Sequence, residues 1–211
     1  MTRAGERTPA PLRAARAVRH GISRAVAFMA YLAGWNYILC ALFITGDVLG
    51  RTFLQVSSAA TVEITSYMLA CGISWSLAHT LASRAHIRVD VLVNRMPLRL
   101  RTILHVFALV LLGGFAVFVA WAAWSLLDES LMFDAHDNSA LHLPMAIPQG
   151  IWAFGMASFV VMIVALLVEA ILGLLLGRFQ EVDQMLGSRS IDDEAEEALE
   201  AVAMAREGHP A

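Results

Sequence analysis

Apolar residues in this chain run in blocks, not in the narrow stripes of a soluble amphipathic helix. The blocks cover about residues 25–50, 62–83, 103–127 and 148–177. An α-helix rising 1.5 Å per residue needs about 20 apolar residues to cross a bilayer core of roughly 30 Å, and each block is long enough. The pattern predicts an all-α membrane protein with four transmembrane helices. Glu63 and His79 are the ionisable residues of the second block, one at each end. Pro148 suits the first turn of the last helix, where no N–H is needed. That helix is longer than the bilayer requires and is expected to tilt or project. Asn36, inside the first block, is expected to hydrogen-bond between helices, beside the aromatic anchors Tyr31, Trp35 and Tyr37.

Composition agrees with this pattern. Of 211 residues, 58% are hydrophobic and 16% charged, against about a quarter charged in soluble domains. Cys40 and Cys71 lie inside apolar blocks and read as packing residues. Residues 1–21 hold Arg3, Arg7, Arg13, Arg16 and Arg19 against Glu6, which predicts a flexible basic arm. A cleavable signal would have an apolar core of about 7–15 residues and then a small-x-small site. The run from Ala25 to Gly46 is longer and meets Asp47, so an uncleaved first helix is expected. The arm lacks the interleaved aromatics of a nucleic-acid binder.

Charge is segregated along the chain. Segments 1–24 and 84–101 are basic, 52–61 is uncharged, and 128–147 carries Asp128, Glu129, Asp134 and Asp137 without Arg or Lys. Basic loops stay on the cytoplasmic side. This predicts a multi-pass membrane protein with both termini in the cytoplasm. Residues 178–211 form an acidic cytoplasmic tail. Within it Ile191, Ala195, Ala198, Leu199 and Val202 share one face of a short amphipathic helix, with Ser190 and Asp193 resembling a capping box.

Catalytic chemistry is missing from the pattern: there is no nucleophile elbow, phosphate loop or carboxylate pair. The reading is a non-enzyme with no cofactor and no metal. His79 and His105 sit near the same membrane side, as a haem-ligating pair would, but isolated histidines at helix ends are ordinarily solvated. His136 and His142, beside Asp134 and Asp137, lack tight metal-ligand spacing and read as a solvated loop. Glu169 falls near the cytoplasmic boundary, and Glu63 and Arg51 at the opposite one, leaving no carboxylate at mid-membrane. An ion carrier would be expected to place one there, so the chain reads as a scaffold for a partner.

Several motifs carry a resemblance. They are Asp47-Val48 with Arg51, then Glu63, then His86-Ile87-Arg88-Val89-Asp90, then Asn94 to Pro97, and Ile147 to Gly150 with Pro148 inside it. In this order they resemble the small membrane subunit of tripartite ATP-independent periplasmic (TRAP) transporters, over about residues 25–177. The basic arm and acidic tail depart from that family's compact pattern. The resemblance implies a large multi-span membrane subunit as partner, holding the substrate and ion sites, and a periplasmic binding protein that delivers an organic acid. Energy would come from an ion gradient across a bacterial inner membrane, where the resemblance puts the chain. Asp47, Arg51, Glu63, His86, Arg88, Asp90, Pro97, Pro148 and Gly150 become candidate assembly residues, with Asp90 pairing Arg88 or a nearby Arg. Asp134 and Asp137 become candidates for docking the binding protein. The alternative is a membrane anchor of a redox complex, binding haem or quinone.

Overall fold

The computed structural model describes residues 9–56, 60–84, 96–138, 141–187 and 199. Its elements are α1 (Ala10–Leu49), a π-helical turn (Gly50–Leu54), α2 (Thr61–Ala82), α3 (Leu98–Met132), α4 (Ala146–Leu175) and α5 (Phe179–Leu186). Three helical stretches, Ala10–Leu54, Leu98–Met132 and Ala146–Leu175, are long and apolar enough to cross a membrane.

Helix α2 is the exception. Its 22 residues give roughly 33 Å, but its sequence is rich in Ser and Thr. Those hydroxyls return to the helix's own backbone. Thr65 donates to the Thr61 carbonyl at 2.8 Å, Ser66 to Val62 at 2.7 Å, Ser74 to Cys71 at 3.0 Å and Thr80 to Ser76 at 2.9 Å. A hydroxyl satisfied in this way costs little in apolar surroundings. Helix α2 also packs against both α1 and α4.

Consecutive long helices run up and down. The start of α1, the end of α2, the start of α3 and the end of α4 meet at one end of the molecule, joined through α5. The core gathers on α4, where Met156, Phe159, Met162, Ile163, Leu166 and Ala170 are buried, with Ala78 and Leu81 of α2 and Leu109 and Ala116 of α3 against them. Close approach of α2 to α4 depends on Gly155. A Cβ there would lie 2.8 Å from the Ser74 backbone carbonyl carbon, nearer than atoms pack. By contrast, the outer faces of α1 and α3 carry exposed Phe28, Tyr31, Phe107, Leu111, Phe115 and Phe118.

Two expectations are corrected. The arm, expected to be flexible to residue 21, is helical from Ala10 and continuous with the first long helix, with Pro11 placed in the first turn. Leu12, 1% exposed, pins it. The chain after Arg178, expected to be soluble tail, instead turns at Gly177 (φ +73°) into α5, which buries Val182 and Leu186 against α3 and α4. In both places the anchoring contacts come from far along the chain, so local composition does not announce them. The expected helix around Ile191–Val202, Leu199 apart, lies outside the described residues.

Candidate functional site

Among the described residues the two ends of the molecule hold the ion pairs. At the basic end Glu169 of α4 is 5% exposed. It accepts from Arg16 Nε at 3.3 Å and Arg19 Nε at 2.5 Å. These arginines are three apart in sequence and therefore share a face of α1. Arg16 also reaches Glu181 of α5 at 2.5 Å, which Arg178 meets at 2.9 Å. Asp183 of α5 takes both arms of the Arg101 guanidinium, one through Nε at 2.7 Å. This is the fork that suits a carboxylate. His105 Nε2 stands 3.8 Å from the same Asp183. Thr102 donates to the Phe179 carbonyl at 3.3 Å, and the Arg99 guanidinium lies 5.8 Å from the Phe179 ring centre. Arg84, in a left-handed backbone conformation (φ +58°), donates to the Gln184 carbonyl at 2.6 Å. Helix α5 thus ties together the ends of all four long helices on this side of the molecule.

A Cβ on Gly173 would fall 2.4 Å from Val182 Cγ2, so the bare helix surface of α4 at that point is what lets α5 lie down. The α5 residues that meet these partners, Phe179, Glu181, Val182, Asp183 and Gln184, carry no motif in the sequence. The available signal was the periodicity of Phe179, Val182, Asp183 and Leu186, where i, i+3, i+4, i+7 spacing marks one helical face.

The opposite end is built differently. The loop from α3 to α4 is held by Asp137 N–H to the Leu143 carbonyl (3.0 Å) and Met145 N–H to the Ala135 carbonyl (2.9 Å). Tyr67 of α2 donates its hydroxyl to Asp137 Oδ2 at 2.9 Å. Asp134 is exposed on a left-handed turn (φ +48°), its carbonyl 2.7 Å from His136 Nδ1. The structure therefore separates the two candidate docking acids: Asp134 faces outward and Asp137 turns inward to α2. The His136 and His142 rings lie edge to face with centres 6.2 Å apart. Among the described residues no group of three or more metal-ligating side chains comes together.

The remaining candidates fall as follows. Arg51 pairs with Asp47 at 2.8 Å across one helical turn. Glu63, one turn before Tyr67, has a buried Oε2 without a hydrogen-bond partner among the described residues, and so has Gln149 Oε1. Pro148 is buried, and its carbonyl lies 3.9 Å from the Cys71 thiol. Gly150 lies beside Leu127 of α3. Pro97 caps the start of α3. His86, Arg88 and Asp90 lie outside the described residues. Between α1, α2 and α4 Asn36 donates to the Met68 carbonyl at 2.7 Å and Trp75 to the Ile151 carbonyl at 2.9 Å. An apolar groove of about 460 Å³ opens there.

The family model for tripartite ATP-independent periplasmic transporters, DctQ component, matches residues 40–173. Neither a curated protein nor a solved structure matches the chain.

Proposed function

The chain belongs to the DctQ component family of tripartite ATP-independent periplasmic transporters, and from that premise we propose that it is a fixed scaffold for the large transport subunit. It crosses the inner membrane four times, α2 included, with both termini in the cytoplasm. The observation that carries the scaffold reading is the confinement of charge to the two ends. The deepest carboxylate of α4, Glu169, is neutralised by Arg16 and Arg19, whereas a transported ion needs a group that is free to change partners. The orientation is supported by Arg16, Arg19, Arg84 and Arg101 converging at one end, since basic residues stay on the cytoplasmic side. The redox-anchor alternative gains no support from the family match.

In this reading the complex takes up an organic acid with an ion gradient, and the exposed acidic loop around Asp134 forms part of the surface for the periplasmic binding protein. The Asp47–Arg51 and Glu63 elements face the large subunit, and the His86–Asp90 motif, which lies outside the described residues, contributes to assembly with it. The deciding experiment is uptake by proteoliposomes holding the large subunit with its binding protein, with and without this chain. Uptake lost without the chain, and an ion coupling ratio unchanged in Asp90→Asn while co-purification weakens, are the expected results. Full uptake without the chain, or an altered coupling ratio in the variant, overturns the scaffold reading. Topology is checked by single cysteines in a Cys-free background: Asn138→Cys labels from the periplasm, and Thr8→Cys and Ser190→Cys do not.

A further inference from the structure

A polar cavity of about 550 Å³ opens at the basic end, where α1, the end of α2, α4 and α5 converge. Its charged wall holds Arg16, Arg19 and Arg84 against Glu169 and Glu181, with His20 at the rim. The acids are already committed. Glu169 is shared by Arg16 and Arg19, and Glu181 by Arg16 and Arg178. Arg84 is in a different position. It gives one hydrogen bond to a backbone carbonyl, and no carboxylate among the described residues stands within ion-pair distance of it. The cavity therefore keeps an excess of positive charge, and its guanidiniums have donors to spare.

The level of the cavity in the helices narrows the ligand. Arg19 and His20 stand just before the apolar run that opens at Ala25. Tyr31, at position 20 + 11 and so about three turns farther on the same face as His20, is 62% exposed. The floor is apolar, made of Ala82, Leu166 and Met185. A ligand with an anionic head at the cavity and an apolar body along α1 matches both parts. Basic pockets between membrane helices hold lipid head groups by this chemistry.

We propose that this cavity binds the phosphate of an anionic membrane lipid, with Arg84, which meets no carboxylate among the described residues, as the cation that selects it. The site depends on the chain lying in a membrane and not on its scaffold role, so either reading can fail alone. The test is native mass spectrometry of the full chain, released from detergent with equal amounts of phosphatidylglycerol and phosphatidylcholine. Phosphatidylglycerol is expected to be retained in preference. Arg84→Gln lowers its apparent affinity about five-fold, the effect of one cation near a lipid surface. Arg84→Lys restores most of it. Arg24→Gln, which removes a charge from α1 outside the cavity wall, leaves it nearly unchanged. Because Arg84 neutralises no described carboxylate, Gln there orphans no buried charge. Equal retention of the two lipids, or equal loss in the Arg84 and Arg24 variants, overturns the proposal. Displacement of phosphatidylglycerol by excess inorganic phosphate also overturns it, by reassigning the cavity to a soluble anion.

Discussion

The two ends of the helix bundle handle their acids in opposite ways. At the basic end every described carboxylate of the network, Glu169, Glu181 and Asp183, meets an arginine, and most of these partners lie on another helix. At the acidic end Asp47 is paired one turn away on its own helix, Asp137 holds a neutral phenol, and Glu63 keeps a buried oxygen without a hydrogen-bond partner among the described residues. The first end closes the chain on itself. The second leaves acceptors and an exposed acidic turn facing out. The proposed scaffold role would use this division: one end holds its own helices in register, and the other keeps groups for partners to satisfy.

The sharpest break in this comparison is Glu169→Ala. It strands Arg19, while Arg16 keeps only Glu181. Removing one member of a buried pair costs about 3–5 kcal/mol. The lower figure applies because Arg16 remains about one-third exposed (34%). Thermal unfolding in detergent should show the largest loss of any single charge change, and the double change Arg19→Ala with Glu169→Ala should recover part of it. A midpoint equal to that of the parent would mean that the basic end does not hold the bundle.

Asp183→Asn comes next. It leaves the Arg101 guanidinium without its carboxylate and loosens α5, at about 2 kcal/mol for a charged hydrogen-bonded pair that is partly exposed. Limited proteolysis should then cut within 178–187 well before the membrane helices are cut. Persistent protection would show that Val182 and Leu186 hold α5 without the charge.

At the other end the effects on the isolated chain are smaller. Tyr67→Phe removes one hydrogen bond to Asp137, worth about 1 kcal/mol, and lowers the unfolding midpoint slightly. The acids of the loop are expected to separate by function. Asp134→Asn slows association of the binding protein and flattens its salt dependence with stability unchanged, since a rim charge acts mainly on the association rate. Asp137→Asn lowers stability as well. Equal kinetics for Asp134→Asn and the parent at low salt would remove the loop from the docking surface.

Smallest of all is Asp47→Asn on the isolated chain. The Asp47 side chain is 6% exposed, but its partner Arg51 is 64% exposed, so solvent screens the pair from one side, and screened i,i+4 pairs contribute about 0.3–0.5 kcal/mol. If this change instead disrupts co-purification of the large subunit, the pair belongs to the assembly surface and not to the bundle. That result would sharpen the contrast between the ends.

The helical membrane character was legible because it is local. A residue's own transfer free energy decides whether its segment enters hydrocarbon, and blocks such as 103–127 and 148–177 carry that property with no help from elsewhere. The Asp47–Arg51 pair was legible for the same reason, being one helical turn long. The family was legible through short motifs in order. What only the tertiary structure decided is the fate of residues 10–21 and 179–186. Arg16 finds Glu169 and Glu181 across 153 and 165 positions, and Arg101 finds Asp183 across 82. Composition reads such residues as solvated tails, because a charge has no local signature of its distant counter-charge. Only when α4 brings Glu169 beside the start of α1, and the turn at Gly177 lays α5 over the helix ends, do those charges become a partly buried network.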